Sequence, residues 1–227
     1  MNTHTTPGRI ALVFGGSRGI GAGIALRLAQ EGADVALTYA SAAASAHEVT
    51  AAIEAQGREA LAIQADSGNA ADLQSAVRQT VERFGRIDIV VVSAGVLHIA
   101  DVAEFSIDNL DRMLDVNVRG VYLAIKAALP HMAQGGRIVT IGSNAAERTS
   151  HPGSSVYSMT KGAVAVMVKG LAVDLAPRGN HHQQHPAGPD RDRHDGRHDR
   201  HDHAPDSLEA RRPAGRDRGT GGLPDRP

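Results

Sequence analysis

Tyr157 and Lys161 stand four residues apart in a Tyr-Ser-Met-Thr-Lys run, a spacing that sets a phenol and an ammonium on one face of a helix. A cation beside a phenol lowers its pKa by proximity. That would make Tyr157 a usable general acid near neutral pH. Taken alone, a Tyr-x-x-x-Lys pair reads first as surface packing. Ser143, fourteen residues upstream at the end of an apolar run, adds a hydroxyl able to hydrogen-bond a carbonyl or alkoxide oxygen. Together the three describe proton exchange with a substrate oxygen.

A second constellation lies near the start of the chain. Gly15-Gly16-Ser17-Arg18-Gly19-Ile20-Gly21 follows the apolar run Arg9–Phe14. Unsubstituted backbone there can approach a pyrophosphate, and the N-terminus of the helix that follows favours its negative charge. A tight strand-to-helix connection would also explain the glycines. About 20 residues further on, an acidic residue would bind the ribose 2′-hydroxyl of NAD. This chain instead has Thr38-Tyr39-Ala40-Ser41, with no carboxylate to repel a 2′-phosphate. Arg18 can supply positive charge and Ser41 a hydrogen bond, so NADP(H) is favoured over NAD(H); Arg18 also reads as a solvated turn residue.

The elements that must position these groups follow from periodicity. Strands are expected at 9–14, 35–39, 60–65, 87–93 and 137–143. They alternate with helices at about 19–30, 44–56, 70–84, 107–132 and 155–176. The run Ile87–Ser93 is β-branched and apolar throughout, as a central parallel strand covered on both faces requires. Such alternation implies an α/β, Rossmann-like, doubly wound parallel sheet with right-handed crossovers. Asp66 closes the third strand and, from its position alone, reads as a helix N-cap-like residue before Asn69. Ser93-Ala94-Gly95 ends the fourth strand with side chains small enough for a cofactor to approach.

These residues in this order resemble the short-chain dehydrogenase/reductase family across nearly all of 9–179. The family pattern has Thr where this chain has Phe14, and Asn-Asn-Ala-Gly where it has Val92-Ser93-Ala94-Gly95. The resemblance implies hydride transfer between the nicotinamide C4 and a carbonyl or alcohol carbon. Tyr157 would donate the proton, Ser143 orient the oxygen, Lys161 tune Tyr157 and hold the nicotinamide ribose, Asn117 anchor a water leading to solvent, and Asp66 hydrogen-bond the adenine ring. By itself Asn117 reads as a helix polar residue satisfied by water. The glycine turn and the Thr-Tyr-Ala-Ser strand end look most like the 3-oxoacyl-[acyl-carrier-protein] reductase type. The apolar helix faces at 116–132 and 161–175 look like the surfaces through which relatives form homodimers or homotetramers, and core packing would also explain them. Leu97, His98 and Ser150 to Ser154 are candidate substrate-pocket residues.

Composition excludes several other classes. With 24 Lys and Arg against 25 Asp and Glu, a net charge of -1 makes no bulk electrostatic case for nucleic acid or membrane binding. Zero Cys removes disulfide and thiolate chemistry. The polar first residues do not resemble a cleaved signal peptide, and no apolar run is expected to span a membrane, so a cytoplasmic location is expected.

At Gly179 the text changes. Residues 1–8 read as a flexible N-terminus and 9–179 as the dinucleotide-binding domain. Residues 180–227 read as a low-complexity, disordered tail whose only apolar residues are Ala187, Ala204, Leu208, Ala210, Ala214 and Leu223. Its interleaved His194, His198, His201 and His203 imply adventitious rather than built metal binding. Back-translating Asn180 to Asp195 and starting one base later permits Ile or Thr three times, Asn or Ser twice, then Ile or Thr. Gln-Pro-Gly-Pro and Ile-Glu-Thr-Asp-Met can follow. That is a strand and a Pro-Gly turn, so a one-base frameshift is expected after Gly179. The sheet is accordingly expected to lack the family's last two strands, ending at its fifth with activity impaired.

Overall fold

The computed structural model describes residues 8–148, 151–179 and 181–187. Readings that fall on the N-terminal seven residues, on Ser150, or on 188–227 with its four histidines lie outside the described residues.

Six strands form one sheet: β1 (Ile10–Phe14), β2 (Asp34–Tyr39), β3 (Ala60–Gln64), β4 (Ile87–Val92), β5 (Met132–Ser143) and β6 (His181–Ala187). All neighbours are parallel, in the order β3-β2-β1-β4-β5-β6. The chain moves outward from β1 in one direction, then returns past it to build the other half. The switch between β1 and β4 opens a crevice at their carboxyl ends, where ligands of such sheets bind. This is the expected Rossmann-like α/β architecture.

The helices are α1 (Gly19–Gln30), α2 (Ala43–Glu54), α3 (Ala70–Phe84), α4 (Ile107–Leu114), α5 (Gly120–Ala128) and α6 (Ser155–Leu175). Strand alternation divides the core in two. Leu12, Phe14 and Val90 pack with Leu73, Val77, Ile125 and Val164 from α3, α5 and α6. Ala11, Val13 and Val91 pack with Ala25, Val49 and Ile53 from α1 and α2. Successive residues of one strand thus serve opposite layers. α3 has a clear start and stop: the Asn69 side chain accepts from the Ala71 and Asp72 amides, and Gly85 ends it in the left-handed region at φ 84°.

Three expectations need correction. The sheet does not stop at β5, because His181–Ala187 pairs along its whole length from Arg137 to Ser143. Pairing needs only backbone donors and acceptors, which a polar side chain does not remove; Pro186, opposite Gly142, alone lacks a donor. The long helix expected at 107–132 is broken: residues Asp115–Arg119 wind as a π-helix, and β5 begins at Met132 rather than 137. A register irregularity between Ile87 and Ile89 takes up the additional β5 residues. Finally, α6 is long and apolar enough by length and composition to cross a membrane. Here Val164, Val168, Leu171 and Leu175 instead belong to the core between helices and sheet.

Candidate active site

A cleft of ≈ 460 Å³ opens at the carboxyl ends of the strands. Gly15, Ser17, Arg18, Gly19 and Ile20 line it from the first turn, and Tyr39 from β2. Asp66, Ser93, Ala94 and Gly95 follow, with Tyr157 and Lys161 from α6. Residues scattered over almost 150 positions therefore share one cavity, with the glycine turn and the Tyr-Lys pair facing the same space.

The turn is shaped for an anion. α1 begins after Arg18 with no side-chain cap and no acidic residue in its first turn, so its leading amides keep their attraction for negative charge. Gly15 has φ 75°, and a Cβ there would lie 2.7 Å from the Ala94 backbone, so the turn and the end of β4 approach too closely for any side chain. Gly21 does not line the cleft; a Cβ on it would collide with the Gly15 carbonyl oxygen. Its part is to let α1 pack under the turn. The residues thus fit a dinucleotide: an uncapped helix end for the phosphates, and closely packed small residues around it.

Two residues that the sequence did not single out hold this end in place. Thr38, 1% exposed, accepts a hydrogen bond from the Gly15 amide at 2.9 Å through its hydroxyl. A hydroxyl directly after the apolar run Val35–Leu37, still within the strand, was the available signal. Arg112 on α4 makes a two-pronged ion pair with Asp66, both bonds at 2.9 Å. Those bonds hold the Asp66 carboxyl below its ordinary value. No sequence signal pointed to Arg112, since the two residues are 46 apart and only the crossover brings them together. The N-cap of α3 is Asn69, so Asp66 is not that cap. Ser41 is exposed and is not part of the cleft wall.

At the other end, Lys161 donates to the Ile141 carbonyl at 2.9 Å and sits 5.8 Å from the centre of the Tyr157 ring. Burial pushes its ammonium below the ordinary value. Ile141 and Gly142 line the cleft, so the lysine is anchored to the strand that ends in Ser143. The Ser143 hydroxyl accepts from the Ala145 amide at 3.1 Å and donates at 3.4 Å to the side-chain Oδ1 of Asn144. Ser143 itself stands just outside the cleft lining.

Asn117 differs most from expectation. It is 1% exposed, and its side chain bonds protein rather than solvent. Its Oδ1 accepts from the Val96 amide at 2.8 Å, and its Nδ2 donates to the Val96 carbonyl at 2.8 Å and to the Thr160 hydroxyl at 3.2 Å. It therefore ties the segment after β4 to α6, from within the π-helical turn. Such turns are frequent at functional sites because they re-aim one residue of a helix.

The chain spans 63 to 68% of the length of the curated relatives it first matches. It is 40% identical over 177 residues to a versicolorin reductase of Emericella nidulans, covering 78% of this chain and 67% of that one. Among solved structures it resembles a short-chain dehydrogenase/reductase from Serratia marcescens. That match has 50% identity and a TM-score of 0.80, and covers 82% of this chain and 76% of the other. A short-chain dehydrogenase from Burkholderia cenocepacia in complex with NADP is 48% identical with a TM-score of 0.76, covering 77% and 71%. The family described as short chain dehydrogenase matches residues 9–181, and the chain belongs to it.

Proposed function

We propose that residues 9–179 form an NADP(H)-dependent oxidoreductase domain that reduces a small-molecule carbonyl, or oxidises the alcohol, without nucleic acid or membrane partners. The observation that carries this reading is that Tyr157 and Lys161 line the same cleft as the uncapped glycine turn. When bound, the cofactor supplies the hydride. Tyr157 hands its phenolic proton to the substrate oxygen. Lys161, fixed to the Ile141 carbonyl, holds positive charge beside that phenol. Ser143 exchanges its 3.4 Å contact with Asn144 for the substrate oxygen, a swap favoured by the length of that contact. Asn117 acts through Val96, keeping the cleft wall in place.

NADP(H) is preferred to NAD(H) because Thr38, Tyr39 and Ala40 at the end of β2 carry no negative charge, while Arg18 stands on the cleft wall. The NADP-bound relative from Burkholderia cenocepacia is consistent with this. For substrate we favour a 3-oxoacyl thioester. Leu97 lines the cleft with Tyr157, and Leu97, Ile99 and Val102 are exposed apolar side chains that an acyl chain could cover. A cytoplasmic homotetramer or homodimer assembled through α5 and α6 completes the reading; Tyr122, Val166 and Val173 are exposed there.

The test is consumption of NADPH with acetoacetyl thioester by the full chain and by Tyr157→Phe. Turnover in the first, and binding without turnover in the second, is expected. NADPH binding without turnover in both would favour a nucleotide-binding regulator on the same fold.

We also infer that the residues after Gly179 are read one base out of frame. His182 supports this: it is half-buried in β6, with neither ring nitrogen hydrogen-bonded. The shifted frame puts Ile or Thr at that position, a β-branched residue suited to a strand. Sequencing the gene across the codons for Arg178 to Asp195 tests it. An extra base supports the shift, and early stops in the alternative frame exclude it.

A further inference from the structure

We propose that Arg112 is a positioning residue for base recognition: by clasping the Asp66 carboxylate, it makes that group an acceptor that selects adenine through its exocyclic amine. This rests on the dinucleotide reading above and adds a residue that reading does not use.

The accepting capacity of Asp66 is divided unevenly. Oδ1 takes the Gly68 amide at 2.9 Å and Arg112 Nη2 at 2.9 Å. Oδ2 takes Arg112 Nη1 at 2.9 Å. A carboxylate oxygen offers two lone pairs, so Oδ1 is filled and Oδ2 retains one. Two parallel bonds to a planar guanidinium also fix the plane of the carboxylate. The surrounding chain is built around this clasp. A Cβ on Gly68 would stand 2.5 Å from Arg112 Nη1 and 3.3 Å from Val116 Cγ2, so a side chain there would push the guanidinium out of this position. The Asp66 amide is itself held by Asp72 Oδ2 at 2.9 Å.

Both partners remain partly open, with side chains 40% and 41% exposed, and both line the cleft. A buried structural ion pair would not present itself to a ligand in this way. Oδ2 is thus an ionised acceptor, oriented and with one position free. Adenine offers an amine donor at its C6 edge, whereas hypoxanthine offers a carbonyl oxygen that a carboxylate repels.

The experiment is fluorescence titration of the full chain, wild type and variants, with NADPH and with its hypoxanthine counterpart. Wild type is expected to bind NADPH about tenfold more tightly, the usual effect of one hydrogen bond to a charged group. In Arg112→Gln this ratio is expected to fall severalfold, with affinity for the hypoxanthine form little changed. Arg112→Lys should restore only part of the ratio, because an ammonium cannot reproduce the fork. Asp66→Asn, which places an amide donor opposite the base, should move the preference toward hypoxanthine. Equal weakening toward both cofactors in Arg112→Gln would reveal a purely structural arginine and overturn the proposal. An unchanged ratio in Arg112→Gln or in Asp66→Asn does the same. Binding of NADPH without discrimination by the wild type overturns this inference alone; binding of neither cofactor overturns the dinucleotide reading with it.

Discussion

The Gly15 amide and the Thr38 hydroxyl, 23 residues apart, are joined by a 2.9 Å hydrogen bond that ties the glycine turn to β2. Thr38→Val keeps the shape and removes the acceptor, leaving a part-buried amide without its partner. The expected loss is about 1–3 kcal/mol of unfolding free energy in urea. NADPH affinity should fall as well, since the turn carries the phosphate-binding amides. Unchanged stability together with unchanged affinity would show that the turn holds itself.

Asn117 makes three hydrogen bonds from a side chain that is 1% exposed. Asn117→Asp is nearly isosteric but replaces the Nδ2 donor with an oxygen facing the Val96 carbonyl and the Thr160 hydroxyl. One acceptor would then oppose another in a buried place. The variant should lose roughly 2–4 kcal/mol of stability at neutral pH, more than Asn117→Ser. Chemical denaturation of both variants decides it, and equal losses would mean that the clamp on Val96 contributes little.

The parts that were legible in the sequence are those whose information is local. Strand-helix alternation gave β1 to β4 and α1 to α3 within a few residues, because each half-buried element carries its own period. Tyr157 and Lys161 could be paired because four residues of helix fix their relation. The π-helix at Asp115–Arg119 could not be seen: the apolar spacing of 107–132 suits one long helix, and the wide turn carries buried Val116 and Asn117. A Cβ on Gly120 would collide with the Ser67 carbonyl oxygen, a contact no window of sequence contains. Arg112 was missed for the same reason, its partner lying on another crossover. β6 was discounted because its residues are polar, whereas its pairing with β5 depends on backbone alone.

Lys161 gives a pH signature with a definite sign. Burial lowers its pKa from 10.5 in the folded chain. Between the lowered value and 10.5 the unfolded state binds more protons than the folded one, so stability rises with pH in that window. Below it, both states carry the charge and the folded state bears the full cost of burying it. Measured against Lys161→Met, which cannot titrate, the wild type should gain unfolding free energy as pH climbs toward 10.5, then level off. A constant difference across the range would mean the ammonium is as well solvated in the folded chain as in the unfolded one.

His182 combines an orphaned polar group with a titration. Neither ring nitrogen finds a partner, and burial lowers its pKa from 6.5. Replacing it by Ile, which suits a β-strand and needs no hydrogen bonds, should stabilise the chain by roughly 1–2 kcal/mol above pH 7. Below 6.5 the unfolded state takes up a proton that the folded state resists, so the wild type loses stability as pH falls through 6.5 toward the lowered value. The advantage of His182→Ile should therefore widen on acidification. Thermal unfolding of both proteins at pH 8 and pH 5.5 measures it. A variant no more stable at either pH would place His182 in water, leave its ring nitrogens satisfied there, and remove the structural support for a β-branched residue at that position of the strand.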